Sequence, residues 1–347
     1  MGLSLIYQTS IAATVENLYN TAWPVENQTQ NIRDQAMSEA MSEILIRVSG
    51  SQDVLSISSI RDALGRSNRY ILSFHYSPNE NMLLADPQEF PLLLNVKFDK
   101  RQINQLLQNA SAKLWSENRP LILGWVMYSD IQNGRQLIDE SAASPITELF
   151  KAESGRRGLP FLLPRNDLNV TNNYLLSDIW GHFEEPVREI SEPYGANSFL
   201  MVSLEQRDTI RSRWTIVDDC GKRRWDFSSQ NVSDHINAGI DAVADFLGGC
   251  YSLALNEVNA ETLSLVISPI RNVKDYGLIM NTLENLTAVK HINVSELGNQ
   301  NLRLSVSVNG SETDLKNAIK LSRRLLLRDE LGVAVDGQRQ LVYEWVP

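Results

Sequence analysis

Between Arg156 and Arg207 the chain carries Gly158-Leu159-Pro160-Phe161-Leu162-Leu163-Pro164, then a Trp180-Gly181 turn, a helical run, Pro193-Tyr194-Gly195-Ala196 and Ser198-Phe199-Leu200-Met201-Val202. This order reads as strand, helix, turn, strand. Gly195 stands just past the second element, where a left-handed residue stops a helix. Such punctuation constrains the fold class to alternating helices and strands. It names no reaction, because no metal cluster, nucleophile elbow or phosphate loop accompanies it.

The same pattern extends in both directions. Leu121 to Tyr128 is almost wholly apolar, as a strand buried on both faces is, and Asn118-Arg119-Pro120 before it marks a boundary, since proline biases its predecessor to extended backbone. Ser144 to Gly158 reads as a helix with a glycine stop, Leu159 to Leu163 as a second buried strand, Asp178 to Tyr194 as a helix and Phe199 to Leu204 as a strand. The segment is therefore expected to be a central, mostly parallel α/β unit. Ser212–Val217 and Arg224–Ser228 flank Asp218-Asp219-Cys220-Gly221-Lys222 as a hairpin, and Ser233 to Leu255 follows as an amphipathic helix.

Upstream, Thr14 to Val25 reads as an opening strand. A helical stripe of Ile32, Ala36, Ala40, Met41, Ile44, Leu45 and Val48 ends at Gly50. A short helix over Ser58–Ser67, strands over Arg69–Tyr76 and Phe90–Phe98, and a helix capped by Asp99 complete an α+β module. Downstream, Glu257–Glu261 reads as a linker. Beyond it, strand 262–267, helix 272–286, strands 289–297 and 301–308 and helix 311–325 follow the β-α-β-β-α order of a ferredoxin-like unit. The expected fold class is thus α/β and α+β in several small modules: 14–117 N-terminal α+β, 118–256 central α/β, 261–328 C-terminal ferredoxin-like βαββα, and a tail 329–347 in which Leu341–Val346 is a candidate edge strand. A length of 347 residues suits two or three cores.

A net charge of −10, with local basic clusters, Arg156-Arg157, Lys222-Arg223-Arg224 and Arg323-Arg324, that are short and separated, argues against nucleic acid as a partner. No run reaches membrane-spanning length. Met1 to Ala13, short, mostly apolar and ending in small residues, reads as an atypical secretory signal without the usual basic opening. Cys220 and Cys250 fit no zinc template. Buried free thiols are the favoured reading, and a bridge closing a turn onto a helix end is the alternative.

Candidates for chemistry reduce to ordinary structure. His75, His182, His235 and His291 are scattered, and only His182, near Glu184 and Glu185, approaches a ligand spacing. Asp218-Asp219 fits a turn. Neither Gly-x-Gly-x-x-Gly nor the phosphate-loop pattern is present, so no cofactor is expected. Trp115, Trp125, Trp180, Trp214 and Trp225 are expected to anchor cores rather than line a groove.

Several segments together resemble a known family: the Ala36–Gly50 helix ending Ile46-Arg47-Val48-Ser49-Gly50, the strand opening at Arg119-Pro120, Arg157-Gly158-Leu159-Pro160 with Leu162-Leu163-Pro164, Asp178-Ile179-Trp180-Gly181, and Tyr194-Gly195-Ala196. The combination resembles the bacterial domain-of-unknown-function family numbered 2066. That resemblance implies a secreted envelope protein of Gram-negative bacteria, with no catalytic residues to carry over. The expected function is a non-enzymatic periplasmic interaction or scaffold protein, accessory to an envelope-spanning assembly or secretion machine, with envelope or secretion-complex proteins as partners. Its expected docking surface is Lys320, Arg323 and Arg324. The alternative is a periplasmic binding module for a small glycan or peptide. Its cleft is expected beyond the carboxyl ends of the central strands, at Tyr128, Ser129, Arg165 and Asn166.

Overall fold

The structure, a computed structural model, describes residues 13–80, 85–141, 144–165, 173–254, 261–322, 324–333 and 339–346. The candidate signal (residues 1–12), most of the expected linker, Asn166 and Arg323 lie outside the described residues.

The first unit contains β1 (Ala13–Thr14), β2 (Asn20–Val25), α1 (Gln30–Ser49), α2 (Ser58–Leu64), β3 (Ile71–Pro78), β4 (Leu92–Phe98), α3 (Lys100–Asn109) and β5 (Lys113–Leu114). β4 is the middle strand of an antiparallel three-stranded sheet, order β2-β4-β3. The apolar stripe of α1 buries Ala36, Ala40, Met41, Ile44, Leu45 and Val48 in one cluster with Leu94, Val96 and Phe98 of β4. Gly50 ends α1 at φ +77°, and Asp99 caps α3 by accepting from the backbone N–H groups of Arg101 and Gln102.

The second unit contains β6 (Asn118–Arg119), β7 (Ile122–Asp130), β8 (Gly134–Ile138), α4 (Pro145–Arg157), β9 (Phe161–Leu162), α5 (Asn173–Gly181), α6 (Glu184–Ser191), β10 (Ser198–Gln206), β11 (Ile210–Asp218), β12 (Gly221–Ser229), α7 (Val232–Tyr251) and β13 (Leu253–Ala254). Its sheet runs β12-β11-β10-β7-β8, with β9 also beside β7. β7 is parallel to β10 and β9, whereas β8, β11 and β12 join antiparallel. The sheet is therefore mixed rather than mostly parallel. The cause is local: β7 turns straight back into β8 through a loop whose Gln132 and Asn133 N–H groups bond Asp130, and the β11–β12 hairpin stays in the same sheet.

Two further expectations change here. Leu159–Leu163 yields only the two-residue β9, because Pro160 and Pro164 flank it and remove ladder donors. The expected 178–194 helix is two, α5 and α6, broken at His182, whose φ is +59°. α4 and α7 share a cluster with Trp214 and Leu200 on one face of the sheet, and α5 and α6 share another with Trp125 and Met201.

The third unit contains β14 (Thr262–Ser268), α8 (Val273–Glu284), β15 (Val289–Gly298), β16 (Asn301–Val308), α9 (Glu312–Leu321), β17 (Leu325–Val333) and β18 (Arg339–Trp345). The β-α-β-β-α order is present, but the sheet is five-stranded, order β15-β16-β14-β18-β17. The last strand is no edge strand: β18 lies inside, parallel to β14 and antiparallel to β17. Leu341, Tyr343 and Trp345 alternate along β18 and are all buried in the apolar cluster on one face of this sheet. This insertion separates β17 from β14, so the sheet differs by one strand from the four-stranded ferredoxin-like arrangement, and the expected boundary at 328/329 falls within β17.

The first two units are joined where a boundary is expected. β1 pairs with β6, and β5 with β13. Arg119, fully buried, donates from Nε to the Ser116 carbonyl (3.0 Å) and from Nη1 to those of Arg157 (2.9 Å) and Gly158 (3.1 Å). Its Nη2 serves Arg47 (2.7 Å) and Trp115 (3.2 Å). The guanidinium lies 4.1 Å from the Trp115 ring centroid, and burial pulls its pKa down to about 9. Beside it, Arg47 bonds the carbonyls of Arg156 (2.7 Å) and Asn20 (2.8 Å), and Arg157 pairs with Asp241 (2.7 Å) and Asp245 (2.6 Å). The end of α1 meets α7 backbone to backbone: a Cβ on Gly248 would lie 2.1 Å from the Gly50 carbonyl oxygen.

Candidate ligand cleft

The third unit meets the others differently. Between it and the first unit opens a cleft of about 870 Å³. One wall is α3 with the 114–118 segment. The other is the last turn of α8, the 286–289 turn, Asn309 and the end of α9. The volume falls within the usual range for ligand clefts.

Amide side chains dominate its chemistry. Asn104 accepts from the Tyr19 hydroxyl (2.7 Å), and Asn118 reaches across the cleft to the Asn285 carbonyl (3.4 Å). Asn285 donates to Asn281 Oδ1 (3.1 Å), and Asn309 donates to the Thr287 carbonyl (3.0 Å). Burial pushes the Tyr19 phenol up to about 12, so it remains a protonated donor. Lys100 and Glu117 form an ion pair at 2.7 Å. With Glu284 and Arg324 on the lining, two cations face two anions, and the formal charge cancels.

The expected site residues are dispersed. Arg324 lines this cleft, whereas Lys320 pairs with Asp219 at 3.0 Å and so ties α9 to the β11–β12 turn. Tyr128 and Ser129 lie at the carboxyl end of β7. Tyr128 donates to Gln206 Oε1, and the Arg165 N–H donates to the Tyr194 hydroxyl (3.3 Å). A smaller depression of about 400 Å³ opens near that sheet end, lined by Glu205, Arg207, Asp208, Thr209 and Arg211. Tyr128, Ser129 and Arg165 are not among its lining residues. The amide cleft escapes sequence reasoning because its walls come from segments around residues 104 and 285. The one local signal is Asn281 and Asn285, one turn apart on the same helix face.

His182, the nearest approach to a metal ligand in the sequence, is bonded on both ring nitrogens. Nε2 faces Ser203 Oγ at 3.0 Å and Nδ1 faces Thr215 Oγ1 at 2.8 Å. Burial, then Arg213 and Arg224, push its pKa down to about 4, so the ring is neutral at pH 7. Its neighbour Glu184 is engaged by Arg188 and Lys222. Among the described residues, no three His, Cys, Asp or Glu side chains gather as a metal site. No carboxylate orients the ring, so the Ser203–His182 contact lacks the third member of a nucleophilic triad.

The two cysteines form a disulfide, Cys220–Cys250, instead of the favoured free thiols. It fastens the β11–β12 turn to the end of α7, where Tyr251 also donates to Asp218 Oδ1 (2.9 Å).

Residues 12–116 match the family described as Domain of unknown function (DUF8605). No curated protein matches the chain. The family match replaces the resemblance to the family numbered 2066. Of the segments quoted for that resemblance, only the Ala36–Gly50 helix lies within 12–116. The others have local structural causes: Gly158 and Gly195 are left-handed stops after helical turns, Arg119 is the carbonyl clamp, and Trp180-Gly181 ends α5. The matched segment ends at Trp115 and Ser116, whose carbonyls Arg119 binds. No helix of the described residues is long and apolar enough to cross a membrane.

Proposed function

We propose that this chain is a non-enzymatic interaction protein of the periplasm, a three-unit body that holds a partner in the cleft between its first and third units. The cleft carries this reading: its walls come from two units and its polar lining is dominated by amides, which bind and orient but are poor acids, bases or nucleophiles. The clamped joint between the first and second units supports a scaffold role, since it gives one wall a fixed position. The Cys220–Cys250 disulfide supports an oxidising compartment, because such bonds persist outside the reducing cytosol. Envelope or secretion-complex proteins are the partner class that fits both features. A ligand site at the carboxyl ends of the central strands is the weaker reading, since the depression there is smaller and its lining does not include Tyr128, Ser129 or Arg165.

In-cell photo-crosslinking tests the proposal. A crosslinker at exposed Asn285 is expected to capture a defined envelope protein, one at exposed Gln230 is not, and Arg324→Glu is expected to weaken capture. Equal capture from both positions, or capture from Gln230 alone, removes the cleft as the docking site.

A further inference from the structure

We infer that the occupant of the cleft is an extended peptide segment with uncharged side chains. The inference rests on reading the cleft as the docking site and assigns the chemistry of what enters it.

Three properties select this class. An asparagine side chain carries two donor hydrogens and a carbonyl, the same groups a peptide backbone offers, and more than the bonds across this cleft use. Asn104 and Asn118 stand on one wall, and Asn281, Asn285 and Asn309 on the other, so a backbone that displaces the long Asn118–Asn285 bond (3.4 Å) meets donors and acceptors on both sides. The apolar part of the lining is small: Leu114, Leu286 and Leu321 are buried and form its floor, and Val289 is half-buried, so the backbone rather than large apolar side chains is what this cleft can recognise.

The charge pattern excludes the main competitors. Lys100 pairs with Glu117, and Glu284 and Arg324 bring one charge of each sign to the lining, so its formal charge sums to zero and gives no excess of either sign to select a phosphate, a nucleotide or an acidic or basic peptide. Saccharide sites commonly stack a sugar on an open aromatic face. Tyr19, the aromatic residue on the lining, is 9% exposed, bonds Asn104 and has Lys100 Nζ 5.8 Å from its ring centroid. It offers no open face.

Fluorescence anisotropy on the purified full-length chain tests the assignment, with a labelled library of short peptides built from Ala, Ser, Thr, Asn, Gly and Leu. Matched libraries carrying Asp or Lys, and the neutral oligosaccharide cellohexaose as competitor, complete the set. Saturable binding of uncharged peptides is expected, little changed between low and high salt and not displaced by cellohexaose. Asn281→Trp, at an exposed position, is expected to raise Kd about tenfold or more by obstructing the cleft, and Gln230→Trp to leave it unchanged. Preference for charged libraries, displacement by cellohexaose, or unchanged affinity in Asn281→Trp overturns the assignment. Crosslinking at Asn285 distinguishes the two levels: a partner captured there while every uncharged peptide fails to bind leaves the cleft as docking site and eliminates the peptide chemistry.

Discussion

The first and third units are attached to the rest of the molecule in opposite ways. Arg119 joins the first unit to the second from a fully buried position, satisfied by main-chain carbonyls from the 115–116, 157–158 and 47 segments. The third unit is held by one buried apolar residue of the second unit, Leu253 of β13, which packs in its core cluster, and otherwise by surface contacts: the Lys320–Asp219 pair, the Asn118–Asn285 bridge and an Asn317 contact 3.8 Å from Cys250 Sγ. A buried cation surrounded by carbonyls tolerates no displacement, because any shift strands both the charge and its acceptors. Exposed amides and ion pairs exchange readily with water, and the same freedom lets them exchange with a ligand. One joint thus fixes the geometry, and the other is open to receive something.

The comparison breaks first at Arg119. Arg119→Met keeps much of the apolar stem but leaves a ring of buried carbonyls without donors, and is expected to destabilise the chain by roughly 4 kcal/mol or more. Urea denaturation followed by tryptophan fluorescence reads this, since Trp115 packs on the guanidinium. A loss below about 1 kcal/mol would mean that the joint is held by its short strand pairs and by glycine packing alone.

The disulfide braces the surface on which the third unit leans. Replacing both cysteines, Cys220→Ser with Cys250→Ser, releases a loop spanning 30 positions and is expected to cost about 3–4 kcal/mol. Wild-type protein in reductant should match the double variant in denaturation midpoint. If the reduced protein keeps its oxidised midpoint, the bond is dispensable and the brace is the Tyr251–Asp218 contact.

How far the sequence discloses this contrast depends on the range of the interactions. The α1 stripe, the Gly50, Gly158 and Gly195 stops, the Asp99 cap and the β11–β12 hairpin are local, and all stand where periodicity and turn chemistry put them. Trp115, Trp125 and Trp214 are buried as core anchors. Strand neighbours were not legible: β18 alternates as any half-buried strand does, and only the folded sheet places it between β14 and β17. The functions of Arg119 and Asn285 were equally hidden, because both act through backbone carbonyls, those that Arg119 binds and the one that Asn285 offers to Asn118, and a carbonyl has no sequence identity. An arginine before a proline reads as a boundary until its donors are seen to bridge one.

Between the joints, His182 supplies an acid-sensitive element in the second unit. Its folded pKa, about 4, lies below the ordinary 6.5, so the unfolded chain takes up the proton first as pH falls. The contribution is complete above about pH 6.5, declines through the window from 6.5 to 4 and is flat below, at most about 3 kcal/mol in all. His182→Asn, which tolerates the left-handed backbone, is expected to start less stable but to lose much less across that window. Denaturation midpoints at several pH values compare the slopes, and an unchanged slope assigns the acid response to another group.

The smallest effect lies at the outer joint and sharpens the contrast most. Lys320 and Asp219 are both exposed at 59% and 52%, so a double-mutant cycle with Lys320→Ala and Asp219→Ala is expected to return a coupling below about 1 kcal/mol. High salt should reduce it further. Stability alone would then rate this pair as negligible. Its expected consequence is in binding: freeing α9 from the β11–β12 turn loosens one wall of the cleft while leaving the other clamped, so peptide affinity should fall by a larger factor than the coupling energy predicts. Equal changes in stability and affinity would mean that the cleft walls are positioned by the apolar packing of Ala318 and Leu321 rather than by the ion pair, and that the outer joint is as fixed as the inner one.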